Sequence, residues 1–112
     1  MVVDQELTDE EVDRIFRALA DSTRRDIVRR TLAAPASVSA LAHHYDMSFA
    51  AVQKHVAVLE EVGLVTKQPR GRERHVHGNA DPIARAQELL DHYEAIWRSR
   101  VEQLDALLSE TE

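Results

Sequence analysis

The stretch from Ser48 to Gly63 is the best-delimited element of this chain. Ser48 has the side chain of a helix N-cap, and Gly63 stands where a glycine commonly follows a helix end. No proline or glycine interrupts the residues between them, and Val52, Val56 and Leu59 share one helical face. The spacing therefore predicts a helix that buries one face and exposes the other to solvent.

Capping signals divide the N-terminal half into further helices. Thr8 and Glu11 make a capping box that opens a helix over 9–20. Asp21 can cap a second helix, which ends before Pro35 because the residue before a proline disfavours helical geometry. This half is therefore expected to consist of short helices.

A short helix and a tight turn precede the helix that starts after Ser48. Residues 40–44 are predicted to form the short helix, and 45–48 supply its exit and the next cap. Two helices joined in this way make a helix-turn-helix, here over 40–62. The first residues of its second helix can reach base edges in the major groove of B-DNA, whose width accommodates a helix.

The hairpin that follows is strongly basic. The proline and glycine at 69–72 have the chemistry of a turn between strands at 64–68 and 73–77, which predicts a two-stranded wing over 64–77. One acid, Glu73, is outnumbered there by four cations, Lys67, Arg70, Arg72 and Arg74. Cations fanned around a turn suit DNA phosphates, and the alternative is a charged hairpin that discourages pairing between sheet edges.

The last helix carries an apolar seam. Asp81 and Pro82 form an N-cap and first-residue pair that opens a helix expected over 82–109. Apolar residues recur along it at spacings of three and four: Ile83, Ala86, Leu90, Tyr93, Trp97, Val101, Leu104 and Leu108. A seam with this spacing needs a partner helix.

Net charge by itself argues against a nucleic-acid partner, since the 112 residues carry a formal charge of -6. The distribution of charge along the chain leads to the opposite conclusion. Residues 1–13 contribute -6 and residues 82–112 contribute -4, whereas 14–63 contribute +2 and 64–77 contribute +3. The acidity lies at the ends, and the predicted helix-turn-helix and wing are positive.

Length and composition exclude several classes of protein. At 112 residues one domain over 1–112 is expected. The absence of cysteine excludes disulfides and thiolate metal sites. No apolar run approaches the roughly 20 residues that cross a bilayer, and no leader pattern opens the chain, so we expect a cytoplasmic protein without a membrane partner.

Particular residues are candidates for reading DNA. On the exposed face of the helix after Ser48, Gln53 can pair with adenine, and Lys54 can reach guanine or a phosphate. The small Ala50 lets the helix sit deep, and His55 can donate to a phosphate or a base from the edge of that face.

Arg24 is a further candidate, at a position where a cation needs compensation. It lies with Arg25 in the first turn of the second helix, where the helix dipole disfavours positive charge. A DNA phosphate docked there would compensate Arg24. Pairing with Asp26 or with the acidic first helix is the equal alternative.

Residues 12–80 resemble the ArsR-type family of bacterial winged-helix transcriptional regulators. The resemblance is carried by FRALADSTRRDIVRRTL and by MSFAAVQKHVAVLEEVGLVTKQPRGRERHV. It implies a mainly α winged helix-turn-helix of four helices, two strands and a long terminal helix. It also implies a homodimer, with the first and last helices packed between subunits, that represses promoters through a palindromic operator.

The resemblance assigns residues to both surfaces. It implies DNA contacts by Ser48, Phe49, Gln53, Lys54, His55 and the basic wing residues, beside Ala50 and Arg24 from the residue chemistry. The implied dimer helices supply the expected interface residues: Val12, Phe16, Leu90, Tyr93, Trp97, Val101, Leu104 and Leu108.

The chain departs from metal-sensing members of that family. Those members carry paired cysteines in the helix before the recognition helix, where this chain has His43 and His44, or ligand pairs on the last helix. Adjacent helical residues point about 100° apart, so His43 and His44 cannot chelate one ion alone. We expect no metal and no cofactor, and the sequence names no effector ligand.

Three other functions are alternatives to DNA binding. A protein-interaction winged-helix module and a metal-responsive repressor based on histidines, including His75 and His77, stay open as alternatives. Catalysis is not expected: His44, Asp46 and Ser48 are triad residue types, but Ser48 is already explained as a cap and no oxyanion-hole motif accompanies them.

Overall fold

The computed structural model describes residues 7–110, and its elements follow the mainly helical order predicted from the sequence. In chain order these are α1 (Asp9–Leu19), α2 (Ser22–Ala33), β1 (Ala36–Ser37), α3 (Val38–Ala42), α4 (Phe49–Glu61), β2 (Val65–Arg70), β3 (Glu73–Gly78) and α5 (Asp81–Glu110). The winged helix-turn-helix architecture is confirmed, and β1 is an additional strand.

Local side-chain caps begin α1, α2 and α4 where the sequence predicted. The Thr8 hydroxyl accepts from the Glu11 N–H at 3.1 Å, and the Glu11 carboxylate accepts from the Thr8 N–H at 3.3 Å, which completes the capping box. Asp21 and Ser48 likewise accept from backbone N–H groups in the first turns of α2 and α4. Gly63 follows α4 with a φ of +79°.

The third helix was predicted two residues too late. α3 spans Val38–Ala42 rather than 40–44, because Ser37 caps it by accepting from the Ala40 N–H at 3.1 Å. The connection to α4 accordingly occupies 43–48.

The prediction that Asp81 caps the last helix was wrong. Asp81 is the first residue of α5, and the first helical hydrogen bond runs from the Ala84 N–H to the Ala80 carbonyl. The Asn79 side chain accepts from the Asp81 N–H at 3.2 Å. Pro82 still falls in the first turn, where its missing N–H costs no helical bond.

The wing belongs to a three-stranded antiparallel sheet in the order β1-β3-β2. β1 pairs Ala36 with Val76, so the two-stranded wing predicted from the sequence lacked one partner. The hairpin loop is Gly71 and Arg72 alone, shorter than the predicted 69–72 turn. Gly71 has a φ of +63°, as the first residue of a type II′ turn requires.

The core lies between α2, α3, α4 and the sheet. The predicted inner face of α4, formed by Val52, Val56 and Leu59, has no exposed surface. Ile27, Leu41, Leu64, Val65 and Val76 are also almost fully buried. None of the helices in residues 7–110 combines the length and apolar character needed to cross a membrane.

Candidate nucleic-acid interface

The outer face of α4 collects most of the predicted base-reading residues. Since Val52, Val56 and Leu59 turn inward, the side chains at the start of the opposite face are exposed, namely Ala50, Gln53 and Lys54. Ser48 and Phe49 lie outside that face, at the N-terminal end of the helix, and are exposed as well. Almost half of the Phe49 side chain, 47%, is accessible, so an apolar group stands beside the polar ones at the N-terminal end of this helix.

His55 lies at the border of that face and is half-buried. Its Nδ1 is 3.4 Å from Nη1 of Arg24. Because a guanidinium only donates, a hydrogen bond between these atoms requires Nδ1 to accept, and the tautomer that allows this carries its hydrogen on Nε2. The structure leaves Nε2–H as the donor with which the predicted DNA contact of His55 would be made.

The C-terminal end of α4 is acidic. Glu60 and Glu61 are exposed there, and Glu60 Oε1 lies 3.9 Å from Lys67 Nζ on β2. Lys67 is 24% exposed and lies beside a carboxylate of the helix, and its predicted phosphate contact stays a prediction. The acids disfavour phosphates near this end and leave the N-terminal end of α4 as its electrostatically favourable end.

The wing cations are divided between two faces of the hairpin. Lys67 pairs with the buried Val76 and shares its face, as does Arg74 two residues before Val76. Arg70 lies on the opposite face, and Arg72 stands in the loop. All three arginines are exposed, so positive charge surrounds the tip of the wing rather than forming a single row.

Arg24 and Arg25 contact the C-terminal end of α1. Arg24 donates through Nε to the Ala18 carbonyl at 2.7 Å and through Nη2 to the Arg17 carbonyl at 3.0 Å. Arg25 donates to the Leu19 carbonyl at 2.8 Å. The last carbonyls of a helix lack helical donors and lie at its negative end, so they attract cations.

The carbonyls at the end of α1 compensate the positive charges of Arg24 and Arg25, in place of the acidic side chains that were the expected partners within the protein. Neither Arg24 nor Arg25 makes an ion pair with Asp26 or with the acids of the first helix among the described residues. Two arginines placed just after a predicted helix end are a signal that could have indicated this arrangement. The phosphate contact of Arg24 stays a prediction.

An anchor for the turn of the helix-turn-helix was not predicted from the sequence. Asp26 on α2 accepts from the Tyr45 hydroxyl at 2.6 Å, from Arg30 Nε at 2.7 Å and from Arg29 Nη2 at 2.6 Å. Those hydrogen bonds, the one from Tyr45 first, hold the pKa of Asp26 far below its ordinary value. Burial, together with the bond to Asp26, raises the pKa of Tyr45 to about 12.

The histidines considered as metal ligands lie in two pairs, one directly after α3 and the other on β3. Nowhere in residues 7–110 do three or more His, Asp or Glu side chains converge as a metal site would require. His43 is exposed, and Nε2 of His44 lies 3.5 Å from Nη1 of Arg30. His75 and His77 share the face of β3 opposite Val76, and His75 Nδ1 is buried without a hydrogen-bond partner.

The apolar seam of α5 is uncovered along most of its length. Tyr93, Trp97 and Leu108 are more than half exposed, at 57%, 64% and 66%. Leu90, Val101 and Leu104 are exposed at 44%, 37% and 49%, and Phe16 on α1 at 38%. A groove of about 620 Å³ between α1 and α5 is lined by Val12 and Tyr93 together with charged side chains such as Asp13 and Glu88. Exposed apolar side chains in such numbers are typical of surfaces that contact another protein.

Comparison with known proteins identifies similar regulators. A family profile described as a helix-turn-helix domain matches residues 19–68. The HTH-type transcriptional regulator Rv2034 of Mycobacterium tuberculosis is 44% identical over 62 residues, which are 55% of this chain and 58% of that protein. The chain therefore spans little more than half the length of this relative. The uncharacterized HTH-type transcriptional regulator YuzN of Bacillus subtilis is 40% identical over 78 residues, 63% of this chain and 85% of YuzN.

Solved structures share the fold over most of this chain. The crystal structure of an ArsR family transcriptional regulator has a TM-score of 0.78 at 33% identity, with 85% of this chain and 98% of that chain covered. An ArsR-like transcriptional regulator from Rhodococcus sp. RHA1 gives 0.76 at 28% identity, covering 88% and 92%. The homodimeric winged helix-turn-helix DNA-binding domain of Mb0332 from Mycobacterium bovis is similar in fold, with a TM-score of 0.62 at 21% identity, covering 85% and 91%.

Proposed function

Since this chain belongs to the ArsR family of winged helix-turn-helix transcriptional regulators, we propose that it is a repressor that binds a palindromic operator as a homodimer. The observation that carries the proposal is the exposed N-terminal face of α4 beside a cationic wing, in a chain whose acidic residues concentrate at its two ends.

The base-reading part is assigned to the start of α4. Gln53 has the amide that pairs with adenine, and Lys54 has the ammonium that reaches guanine or a phosphate. Ala50 keeps the backbone of α4 close to the bases, while Phe49 can contact a thymine methyl group. Ser48 and His55 flank this set and are assigned to the DNA backbone or to base edges.

The wing supplies contacts that do not depend on base sequence. Arg70, Arg72 and Arg74 are exposed around the hairpin tip, where phosphates on either side can be reached. Lys67 joins them only if it leaves Glu60.

The homodimer is assigned to the seam of α5 and to α1. Exposed Tyr93, Trp97 and Leu104 lie along a helix that extends beyond the core, and a second copy supplies the same spacing in return. The homodimeric Mb0332 domain, which shares this fold, supports a second copy of the chain as the partner of this surface. Two-fold symmetry presents two copies of α4, which is the arrangement that a palindromic operator matches.

Fluorescence anisotropy with DNA from the protein's own promoter region tests the proposal. Binding should weaken steeply with salt, by about 0.9 log units per log unit of salt for each contacted phosphate, and scrambled DNA should bind more weakly. Footprinting then locates the operator and shows whether its halves are inverted repeats. No binding even at low salt would reject the DNA proposal and favour the protein-interaction module, to which the acidic ends are suited.

A further inference from the structure

The Arg24 side chain touches two helices at once. Nε and Nη2 donate to the carbonyls of Ala18 and Arg17 in the last turn of α1, at 2.7 Å and 3.0 Å. Nη1 lies 3.4 Å from Nδ1 of His55, which is on α4. One rigid guanidinium therefore joins the end of α1 to the helix proposed to read DNA.

We propose that Arg24 is a positioning residue that holds α4 at a set orientation to α1, and that it is not a ligand of DNA phosphate. This inference rests on the proposed function, in which α1 lies at the dimer interface. Phe16, 38% exposed on α1, immediately precedes Arg17, whose carbonyl Arg24 binds. The contacts of Arg24 with the α1 carbonyls and with His55, which we call the clasp, thus connect the dimer surface with the DNA-reading surface.

The geometry of the clasp suits arginine in particular. The guanidinium is a planar fork of donors, whereas a lysine ammonium is a single point charge that cannot reach three separated acceptors. The Arg24 backbone is held as well, because its N–H donates to Asp21 Oδ1 at 3.0 Å. Arg24 also determines the tautomer of His55, since an accepting Nδ1 places the ring hydrogen on Nε2.

Arg24 can contribute to DNA binding as a phosphate ligand or as a positioning residue, and the salt dependence of the affinity distinguishes the two roles. Three of the five N–H groups of a guanidinium have acceptors within the protein, which leaves two that a phosphate could use. Loss of a phosphate ligand lowers the slope of log affinity against log salt by about 0.9. Loss of a positioning residue weakens operator binding and leaves that slope unchanged.

Arg25 provides a matched control within the same turn. It donates to the next carbonyl of α1, that of Leu19, at 2.8 Å. None of the hydrogen bonds seen in residues 7–110 joins Arg25 to α4. Arg25→Ala therefore removes a cation and an α1 contact without removing the link to His55.

The experiment measures operator affinity, salt slope and thermal unfolding for wild type, Arg24→Ala, Arg24→Lys and Arg25→Ala. We expect Arg24→Ala to weaken operator binding about tenfold, as for one lost charge-assisted hydrogen bond, at an unchanged salt slope. Arg24→Lys should be almost as weak, and Arg25→Ala should stay within about twofold of wild type. A slope reduced by about 0.9 in Arg24→Ala and restored in Arg24→Lys would identify a phosphate ligand and overturn the inference.

Nitrogen chemical shifts of the His55 ring, measured in the absence of DNA, report on the contact between Arg24 and His55. Wild type should show hydrogen on Nε2, and Arg24→Ala but not Arg25→Ala should change the ring shifts. Equal His55 shifts in wild type and Arg24→Ala would overturn the clasp. So would an Arg24→Ala protein that unfolds at a lower temperature but binds the operator like Arg25→Ala. Failure of wild type to bind any DNA would reject the proposed function, with the ring shifts still deciding the clasp.

Discussion

The Tyr45 hydroxyl donates to the Asp26 carboxylate over 2.6 Å and thereby ties the turn before α4 to α2. The same carboxylate accepts from Arg29 and Arg30, so one acid of α2 collects three donors. His44, the residue before Tyr45, lies 3.5 Å from Arg30. The turn of the helix-turn-helix is held from outside by this network, in addition to the cap that Ser48 provides from within.

Tyr45→Phe removes one hydrogen bond to a charged acceptor and should lower the free energy of unfolding by about 1.5 kcal/mol. Urea unfolding at one protein concentration measures the change. Stability of Tyr45→Phe equal to that of wild type would contradict the anchoring role.

Because of the Asp26–Tyr45 pair, the free energy of unfolding should fall at both acidic and alkaline pH. The pKa of Asp26 is lowered in the folded state, so its contribution is complete above the unfolded value near 4 and is lost as pH falls below it. The pKa of Tyr45 is raised to about 12, so its contribution is lost as pH rises from about 10 toward 12.

Unfolding free energy measured across pH checks both limits. Asp26→Asn should flatten the acid decline, and Tyr45→Phe should flatten the alkaline decline. Acid declines that run parallel in wild type and Asp26→Asn would show that other carboxylates determine acid stability.

Gly78→Ala should destabilise the fold by roughly 2–3 kcal/mol, the range of overpacked cores. A methyl group there would lie 2.6 Å from the backbone nitrogen and 2.8 Å from Cα of Leu32, and backbone of α2 cannot rotate away. Gly71→Ala is the comparison, because nothing lies within 4 Å and only its φ of +63° resists a side chain. Denaturant midpoints should rank Gly78→Ala below Gly71→Ala; the reverse order would mean that β3 can move off α2.

Lys54→Ala and Arg72→Ala should separate base reading from phosphate contact. Lys54→Ala should weaken operator binding roughly tenfold more than random-DNA binding, whereas Arg72→Ala should weaken both similarly and reduce the salt slope by about 0.9. Arg98→Ala is the matched control, since Arg98 pairs with Glu94 on α5 at 2.7 Å, away from α4 and the wing. Equal losses in the first two variants on both DNAs would refute the assignment of Lys54.

Val101→Glu should convert the dimer to a monomer in sedimentation, because it places a charge in the seam of α5. Ser99→Glu adds the same charge on the other side of that helix, since two residues turn the helix by about 200°, and should leave the dimer intact. The single tryptophan, Trp97, offers a second readout. Its emission should shift to longer wavelength in Val101→Glu, and a wild-type protein that sediments as a monomer would reject the seam.

The helix ends could be predicted because the interactions that make them are local. The Thr8–Glu11 capping box, the Asp21 and Ser48 caps and the glycine after α4 each involve residues within four positions of one another. The errors at α3 and α5 fell where two residues with capping side chains stand within three positions, Ser37 and Ser39 at α3 and Asn79 and Asp81 at α5. Base-reading candidates followed from the same periodicity, since fixing the buried face of α4 fixes the exposed one.

By itself the sequence determined where α1, α2 and α4 begin, which face of α4 is exposed, and where positive charge concentrates along the chain. Only the tertiary structure decided that Ala36 pairs with Val76, that the wing cations occupy two faces, and that Arg24 joins α1 to His55. The physical reason is distance along the chain. Caps and helical faces depend on neighbours a few residues away, whereas strand pairing and a three-acceptor guanidinium depend on segments that only the packed core brings together.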